Sequence, residues 1–345
     1  MKTERLFFAR TRVCILFLLC VFAHGAFAQS DAGAKLNPWF SQLDLSFAGG
    51  GTYANIKEFV YKKNSAGKYA LLSRLDWKNI VMRTVDAKLG CDISRWRLAL
   101  DFSTALPVPG SSSMQDRDWE TLDTTPTKYS EHPMRLDSFF GTGVSLAYRF
   151  WDTQTLILGA GAGFAYTATN LTAYDGSAFK PLPQKNYSGD VVSYSQRIYE
   201  PRIMLYGEWK PFSLFETHVR LYASPVTFIR ATDTHYKTDS LEAPEIGKQY
   251  SDRPLGPASF KAELALRFNL PQKKSAGETE SEKRTHPASV RHAIALQADA
   301  AFVPELRGPS YSRSSKSLPF AKTGDKAGSS YFSFGISLAY CMRIR

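Results

Sequence analysis

Two short stretches of the sequence place titratable side chains at a spacing that suits acid–base chemistry. In MQDRDW, Asp116 and Asp118 stand two residues apart, and in RATDTHY, Asp233 and His235 have the same spacing. Residues i and i+2 of an extended chain point to the same side, so each pair would face one spot. Aspartates in loops usually form turns, so the pairs gain meaning only if the fold brings them together.

The sequence around these pairs alternates between apolar and polar residues, as strands with two different faces do. The alternation is strict over the C-terminal YFSFGISLAYCMRIR and recurs in RWRLALDFSTAL, SFKAELALRFN and AIALQADAAF. A soluble β-sandwich would give the same alternation, but its strands are usually shorter. Segments of about ten residues or more, in a chain with 13% aromatic residues, are typical of an all-β transmembrane barrel, in which every second residue faces lipid.

The N-terminus predicts export. Four basic residues precede an apolar run at 13–22, and a small-residue cleavage site ends at Ala28. Residues 1–28 are therefore predicted to be a secretory signal peptide, and 29–345 the mature barrel. The chain has a formal net charge of +11, which suits an anionic surface such as lipid phosphates and equally suits scattered solvated lysines. Export argues against nucleic acid as a partner.

Ten alternating segments can be counted, an even number that closes an antiparallel barrel with both chain ends in the periplasm. They are residues 41–62, 69–90, 94–106, 134–150, 154–170, 191–210, 214–235, 256–270, 289–304 and 330–345. The outer loops are then the long polar stretches 63–68, 107–133, 171–190, 236–255 and 305–329. The charged run 272–287 falls in an inner turn and is predicted to be a disordered insertion.

This topology brings the two pairs to one rim of the barrel. Asp116 and Asp118 lie in the second outer loop, and the seventh segment runs outward and ends at Asp233 and His235. Strict alternation along that segment would turn Asp233 and His235 toward lipid. A proline within a strand usually marks a bulge, and one extra residue reverses the facing. A bulge near Pro225 is therefore predicted to turn both side chains inward.

Several motifs of this chain resemble those of the omptins, outer-membrane endopeptidases with ten-stranded barrels. The resemblance rests on MQDRDW, EHP (131–133) and DTHY (233–236), with KEFVY, LDWK and SQRIYEP in the strands. It implies an all-β, ten-stranded antiparallel transmembrane β-barrel in the outer membrane, with its active site facing the extracellular side. The implied partners are peptide or protein substrates at the cell surface and outer-membrane lipid.

The resemblance also implies the catalytic roles. Asp233 would orient and stabilise His235, and His235 would be the general base for a water. Asp116 and Asp118 would hold that water from the opposite side and steady the tetrahedral centre through protonation. The reaction would need no cofactor. No metal site is expected either, because the remaining histidines are scattered and no H-E-x-x-H motif occurs.

Substrate choice follows the resemblance with two departures. Glu58 of KEFVY matches the acid at the base of the omptin pocket for a basic residue before the cut. Ala231 stands where omptins carry a second acid, which predicts weaker binding of that residue. Lys128 stands where the family has an acid facing the residue after the cut, which predicts that a basic residue there is repelled.

The residues that would bind lipid also differ in part from the omptin pattern. Arg197 of SQRIYEP matches a basic residue with which omptins hold lipopolysaccharide phosphates, and it shares the outward parity of its segment. On the fifth segment, however, the family's Tyr-x-Glu-x-Arg pattern is lost. This predicts a membrane with little or different glycolipid.

Two other functions compete with the protease. An omptin-like barrel without activity could serve as a surface adhesin, which the changed pocket residues favour and the intact set of four catalytic residues opposes. A porin or transporter is the third possibility. Ten strands leave a narrow lumen that side chains can largely fill, which disfavours a pore.

Overall fold

The computed structural model describes residues 41–110, 112–120, 125–237, 245–271 and 290–344. The predicted signal peptide and the charged run 272–287 lie outside the described residues. Among those residues, no helix is long and apolar enough to cross a membrane.

The described chain is built from strands. They are β1 (Gln42–Lys63), β2 (Tyr69–Ile93), β3 (Trp96–Pro107), β4 (Ser113–Asp118), β5 (Lys128–Asp152), β6 (Leu156–Tyr174), β7 (Ser177–Lys180), β8 (Lys185–Asn186), β9 (Asp190–Phe212), β10 (Phe215–Ser224), β11 (Thr227–Lys237), β12 (Glu245–Asp252), β13 (Leu255–Gly256), β14 (Ser259–Asn269), β15 (Val290–Arg313) and β16 (Ala321–Ile344).

These segments close into one antiparallel ring of ten barrel strands. Seven barrel strands are continuous: β1, β2, β5, β6, β9, β15 and β16. The other three are interrupted and consist of β3 with β4, β10 with β11, and β12 with β13 and β14. Because β1 pairs with β2 on one side and β16 on the other, the sheet has no free edge at the chain ends. The prediction of a ten-stranded antiparallel barrel is confirmed.

Alternation along the strands sorts apolar side chains outward and polar ones inward. On β16, Phe332, Phe334, Ile336, Leu338 and Tyr340 are 41–61% exposed, while the residues between them face the lumen. Similar exposed apolar residues on the neighbouring strands complete a belt. Such an outward apolar belt is the surface that a barrel presents to lipid.

The barrel strands are longer than a membrane requires. At about 3.3 Å per residue, the 25 residues of β2 extend roughly 80 Å, whereas the lipid-facing band of such barrels is only about 25 Å tall. The strands therefore continue well beyond the belt, away from the end at which β1 begins and β16 ends. We call the end with the start of β1 and the end of β16 the lower end, and the long extension the upper end.

The upper end departs from the predicted outer loops. Much of 107–133 is strand, because β4 pairs with both β2 and β5, and β12 lies within 236–255. Their Ser-, Pro- and charge-rich composition suggested loops, but backbone hydrogen bonds to the neighbouring strands extend the sheet regardless of composition.

An apolar layer crosses the lumen beneath the upper end. Trp77 is fully buried and stacks on Tyr194 from across the barrel, with ring centroids 5.5 Å apart. Around them pack further side chains that are almost completely buried: Ile56, Ile80, Met82, Met114, Leu171 and Ile229. This layer forms an apolar floor under the side chains that face the upper opening.

Candidate active site

The change of parity near Pro225 is confirmed. In β10 the inward residues are even-numbered, including Glu216 and Tyr222, whereas in β11 they are odd-numbered, including Ile229. The two strands are separated by Pro225 and Val226, which belong to neither. Asp233 is consequently buried inside the barrel rather than exposed on its outer surface.

Asp233 and His235 form a hydrogen-bonded pair on this inner face. The His235 Nε2 lies 2.6 Å from the Asp233 Oδ2, and the Tyr250 ring packs edge-on against the imidazole at 5.7 Å. Burial lowers the pKa of His235, but the charge and hydrogen bond of Asp233 outweigh it, and the pKa rises to about 9. The imidazole is thus held in place, while 37% of its side chain stays exposed to the opening.

Asp116 and Asp118 lie on β4, between β2 and β5. In the register, Asp116 stands opposite Leu75 and Ser130. Burial raises the pKa of Asp116 to about 7, and the neighbouring charge of Asp118 adds to the shift. Asp116 can therefore hold a proton near neutral pH.

The two pairs face the same space from separate walls. The barrel strand containing β4 and the one containing β11 are four positions apart in a ring of ten. The charges of Asp116 and Asp118 both act on His235 and raise its pKa further. The arrangement therefore places two carboxyl groups within electrostatic reach of the imidazole.

Glu58 lies on β1 in the same inward layer. It is 2% exposed and stands opposite Leu75 and Ser329. Burial raises its pKa well above the usual range, and the charges of Asp233, Asp252 and Asp116 add to this. Its Oε2 is buried without a hydrogen-bond partner.

Asp252 is an acid of this layer that sequence reasoning missed. It stands directly opposite Ala231 in the pairing of β11 with β12, and both residues are buried. Burial raises the pKa of Asp252 to about 7, a hydrogen bond with Ser310 opposes this, and the charge of Asp233 adds to it. Nothing in the sequence marks Asp252, because it lies in a stretch that reads as a loop.

Lys128 is found at the rim beside the aspartate pair. It stands opposite Asp118 in the register, and its Nζ lies 2.6 Å from a carboxylate oxygen of Glu120. Both side chains of this ion pair are about half exposed. The charge that was predicted to repel a basic residue is therefore partly neutralised by Glu120.

The EHP motif supports the wall that carries the aspartate pair. The imidazole of His132 is buried and contacts the Ser130 Oγ at 2.9 Å and the backbone carbonyl of Asp175. The Gln115 amide donates to Glu131 at 2.8 Å. These contacts join β4 and β5 to the chain beyond β6, so the motif holds the wall in place instead of facing the opening.

Arg197 faces outward, as its parity predicted. It stands directly opposite Arg230 in the pairing of β9 with β11. Below the two arginines, the rings of Tyr166, Tyr199 and Phe228 follow one another at centroid distances of 5.1 and 5.7 Å. The Arg197 Nη1 donates to the Asn170 Oδ1 at 3.1 Å on the other neighbouring strand, and the two arginines give this part of the outer face a positive charge.

Within the part of the chain that the structure describes, no group of three or more His, Cys, Asp or Glu side chains is placed to hold a metal ion.

Comparison with known proteins bears on both fold and site. The Omptin family matches residues 40–274 of this chain. The outer membrane protease OmpT from Escherichia coli is 17% identical, with a TM-score of 0.69 over 90% of this chain and all of that one. The outer membrane protein OprG from Pseudomonas aeruginosa is 10% identical over 86% of this chain and 95% of that one, with a TM-score of only 0.31. No curated protein matches the sequence.

Proposed function

We propose that this chain, which belongs to the Omptin family, is an outer-membrane endopeptidase whose active site is the upper opening, facing the extracellular side. The observation that carries the proposal is the meeting of an Asp–His pair with an Asp pair across one space. Its fold is that of an outer-membrane protease barrel. An orienting carboxylate, a histidine base and a proton-bearing carboxyl group can supply the proton transfers in hydrolysis of a peptide bond by water.

In the proposed mechanism, a water lies between His235 and the carbonyl carbon of the scissile bond. His235 takes a proton from the water as its oxygen attacks, and Asp233 stabilises the resulting imidazolium. Asp116, which can hold a proton near neutral pH, donates it toward the developing oxyanion, while Asp118 keeps the water in position. Collapse of the tetrahedral intermediate then breaks the C–N bond. His235 gives its proton to the leaving amine, and the proton that Asp116 had given to the oxyanion returns to Asp116 as the carbonyl re-forms.

Substrate binding adjusts the state of His235. Before binding, the surrounding acids hold its pKa at about 9, so most of it is protonated at neutral pH. A cationic substrate side chain that enters near Glu58 would counter those negative charges and lower the pKa of His235. The base would then become available when a basic residue is bound before the cut.

The lipid partner is assigned to the outer face. Arg197 and Arg230 lie just above three aromatic rings, a setting that suits the boundary between headgroups and acyl chains. We infer that they bind phosphate groups of outer-membrane lipid. An arginine pair beside a bound phosphate is stabilising through charge-assisted hydrogen bonds.

The test is cleavage of a diverse peptide library by the refolded protein, mapped by mass spectrometry, with and without added glycolipid. His235→Ala and Asp116→Ala should each lower kcat/KM by about 10²–10⁴-fold, while Asp137→Asn, on the exposed outer surface, should leave it unchanged. Refolding is checked by the thermal transition of each variant. A folded wild-type protein that cuts no peptide would instead favour an inactive surface adhesin.

A further inference from the structure

On the inner face of the upper end, four residues that are paired across neighbouring strands form a register row, and the side chain in its middle is small. Gln196, Ala231, Asp252 and Ser310 stand side by side across β9, β11, β12 and β15, and each is at most 3% exposed. Residues paired in this way have Cβ atoms about 5 Å apart. Because Ala231 ends at its methyl group, it leaves a space between the amide of Gln196 and the carboxylate of Asp252.

Polar atoms around this space lack partners. The buried atoms without any hydrogen bond include Glu58 Oε2, Asp252 Oδ1 and Gln196 Oε1. Gln196 reaches the strand next to Glu58, since its Nε2 donates to the Ser329 Oγ at 2.7 Å and Ser329 stands opposite Glu58 in the register. Buried polar groups almost always have partners, so three orphan acceptors together indicate a missing donor.

Three arginines on or beside β12 and β15 are bound to other groups. Arg253 stacks on the Tyr311 ring at 4.6 Å, Arg307 pairs with Glu305 at 2.6 Å, and Arg313 donates to Gln249 at 2.8 Å. Within the described ranges, no ion pair reaches Glu58 or Asp252. Among the residues that the structure describes, none supplies this donor, and a bound basic side chain would provide it.

The chain approaches itself closely where Asp252 is held. Gly308 of β15 has no side chain, and a Cβ there would collide with the backbone carbonyl of Arg253. The Arg253 N–H donates to the carbonyl of Pro309 at 3.1 Å. With the hydrogen bond between Ser310 and Asp252, these contacts set the direction of the Asp252 carboxylate toward the lumen.

We propose that Asp252 is a specificity-determining residue: with Glu58 and Gln196 it forms a pocket for the basic side chain before the cut. The second carboxylate that Ala231 cannot provide is supplied by the neighbouring strand. Three acceptors that converge from two walls suit the flat guanidinium group with its five N–H donors better than the compact ammonium group. The pocket therefore selects arginine over lysine.

This inference rests on the proposed endopeptidase activity and changes what the sequence predicted for Ala231. Glu58 as the single acid of the pocket, with only the methyl group of Ala231 on the other wall, would bind a basic residue weakly. Two acids and an amide oxygen bind it strongly, because a fully desolvated guanidinium then has a partner for most of its donors. Replacing one partner of such a buried charged pair is costly.

The experiment uses one peptide with arginine, lysine or uncharged citrulline before the cut. For the wild type, kcat/KM should fall in that order. Asp252→Asn, which keeps the shape of the side chain, should reduce the arginine-to-citrulline ratio by roughly ten- to a hundredfold. Ala231→Asp placed in the Asp252→Asn background should restore much of that ratio, since it returns a carboxylate to the same register row. Asp137→Asn is the matched control.

A binding measurement separates this inference from the proposed activity. Labelled arginine peptide is titrated against His235→Ala and against His235→Ala with Asp252→Asn, so that no cleavage is required. Weaker binding by the double variant supports the pocket even if the wild type cuts nothing. An unchanged arginine-to-citrulline ratio or unchanged binding would overturn it, and so would a requirement for Ca²⁺ that chelation removes, because Asp252 would then belong to a cation site.

Discussion

The lower and upper ends of the same lumen treat buried charge in opposite ways. At the lower end, Arg97 lies 2.8 Å from Asp44 and also pairs with Glu208, and Arg343 lies 2.8 Å from Asp44 and 3.0 Å from Glu216. At the upper end, buried acids face one another with several oxygens unpartnered. Buried atoms without a hydrogen bond also occur at the lower end, among them Arg97 Nε and Arg343 Nη2, but there acids and bases are mixed. The difference teaches that the chain itself balances the buried charge at the lower end, whereas a ligand is left to balance it at the upper end.

The paired network also bears on the competing pore function. Its side chains are 3–11% exposed and reach across the lumen from β1, β3, β9, β10 and β16. Ion pairs that span a narrow barrel brace it and occupy its cross-section. The lower end therefore argues against a water-filled channel.

The variant with the largest expected effect disrupts the ion-pair network at the lower end. Arg97→Met should destabilise the protein by about 3–5 kcal/mol, because it leaves Asp44 and Glu208 as buried charges without this partner. Chemical denaturation in micelles measures the loss. Asp252→Asn at the upper end provides the contrast, since it removes an uncompensated acid and should not lower stability. If both variants lost equal stability, the two ends would not differ as described.

The next prediction concerns the pocket. Glu58→Ala should lower cleavage after basic residues by a factor of roughly 10² or more, because the substrate's charge would lose a buried partner. The measurement is kcat/KM for peptides with arginine or citrulline before the cut. The arginine peptide should suffer far more than the citrulline peptide. Equal losses for the two peptides would remove Glu58 from the pocket.

A third prediction uses the pKa values of about 7 for Asp116 and about 9 for His235. The reaction needs neutral His235 and protonated Asp116. The rate should therefore rise with pH up to about 7, because more His235 is neutral. Between about 7 and 9 it should stay level, because the gain in neutral His235 is offset by the loss of protonated Asp116. Above that it should fall, because Asp116 is losing its proton while His235 is already neutral. The profile of kcat/KM measures both limbs, since it reports the free enzyme.

The electrostatic effect of Asp116 on His235 can be measured without any cleavage. Asp116→Asn removes a negative charge that favours the imidazolium, so the pKa of His235 should fall. Histidine-labelled protein followed by NMR would report this titration directly. Asp137→Asn should leave the pKa of His235 unchanged. An unshifted His235 in Asp116→Asn would mean that the two walls do not face one another closely enough to interact.

The smallest expected effect is at the rim. Lys128 is half exposed and paired with Glu120, and exposed ion pairs contribute only about 0–1 kcal/mol. Lys128→Asp should therefore shift the preference for the residue after the cut toward basic side chains by only a few-fold. A series of X-Arg-Z peptides with Z varied measures it. Glu120→Gln should move the preference the other way, since it frees the lysine charge.

The sequence predicted more of the site than its low similarity to solved structures would suggest. The i, i+2 spacing of both pairs predicted that their members share a face, and the observed strands place them so. Pro225 predicted the change of facing that buries Asp233. The expectation for Ala231 did not anticipate Asp252, and that for Lys128 did not anticipate Glu120, because both partners come from stretches without apolar alternation.

The sequence by itself determined the features that depend on near neighbours along the chain: strand periodicity, the number of barrel strands, the facing of each pair and the break at Pro225. Only the tertiary structure decided which residues stand opposite one another once the sheet closes. Asp252 is 21 positions from Ala231, and Ser329 is far along the chain from Glu58, yet each pair meets in the register. The reason is physical, because alternation is set within one strand, whereas register is set jointly by turn lengths, bulges and closure of the ring.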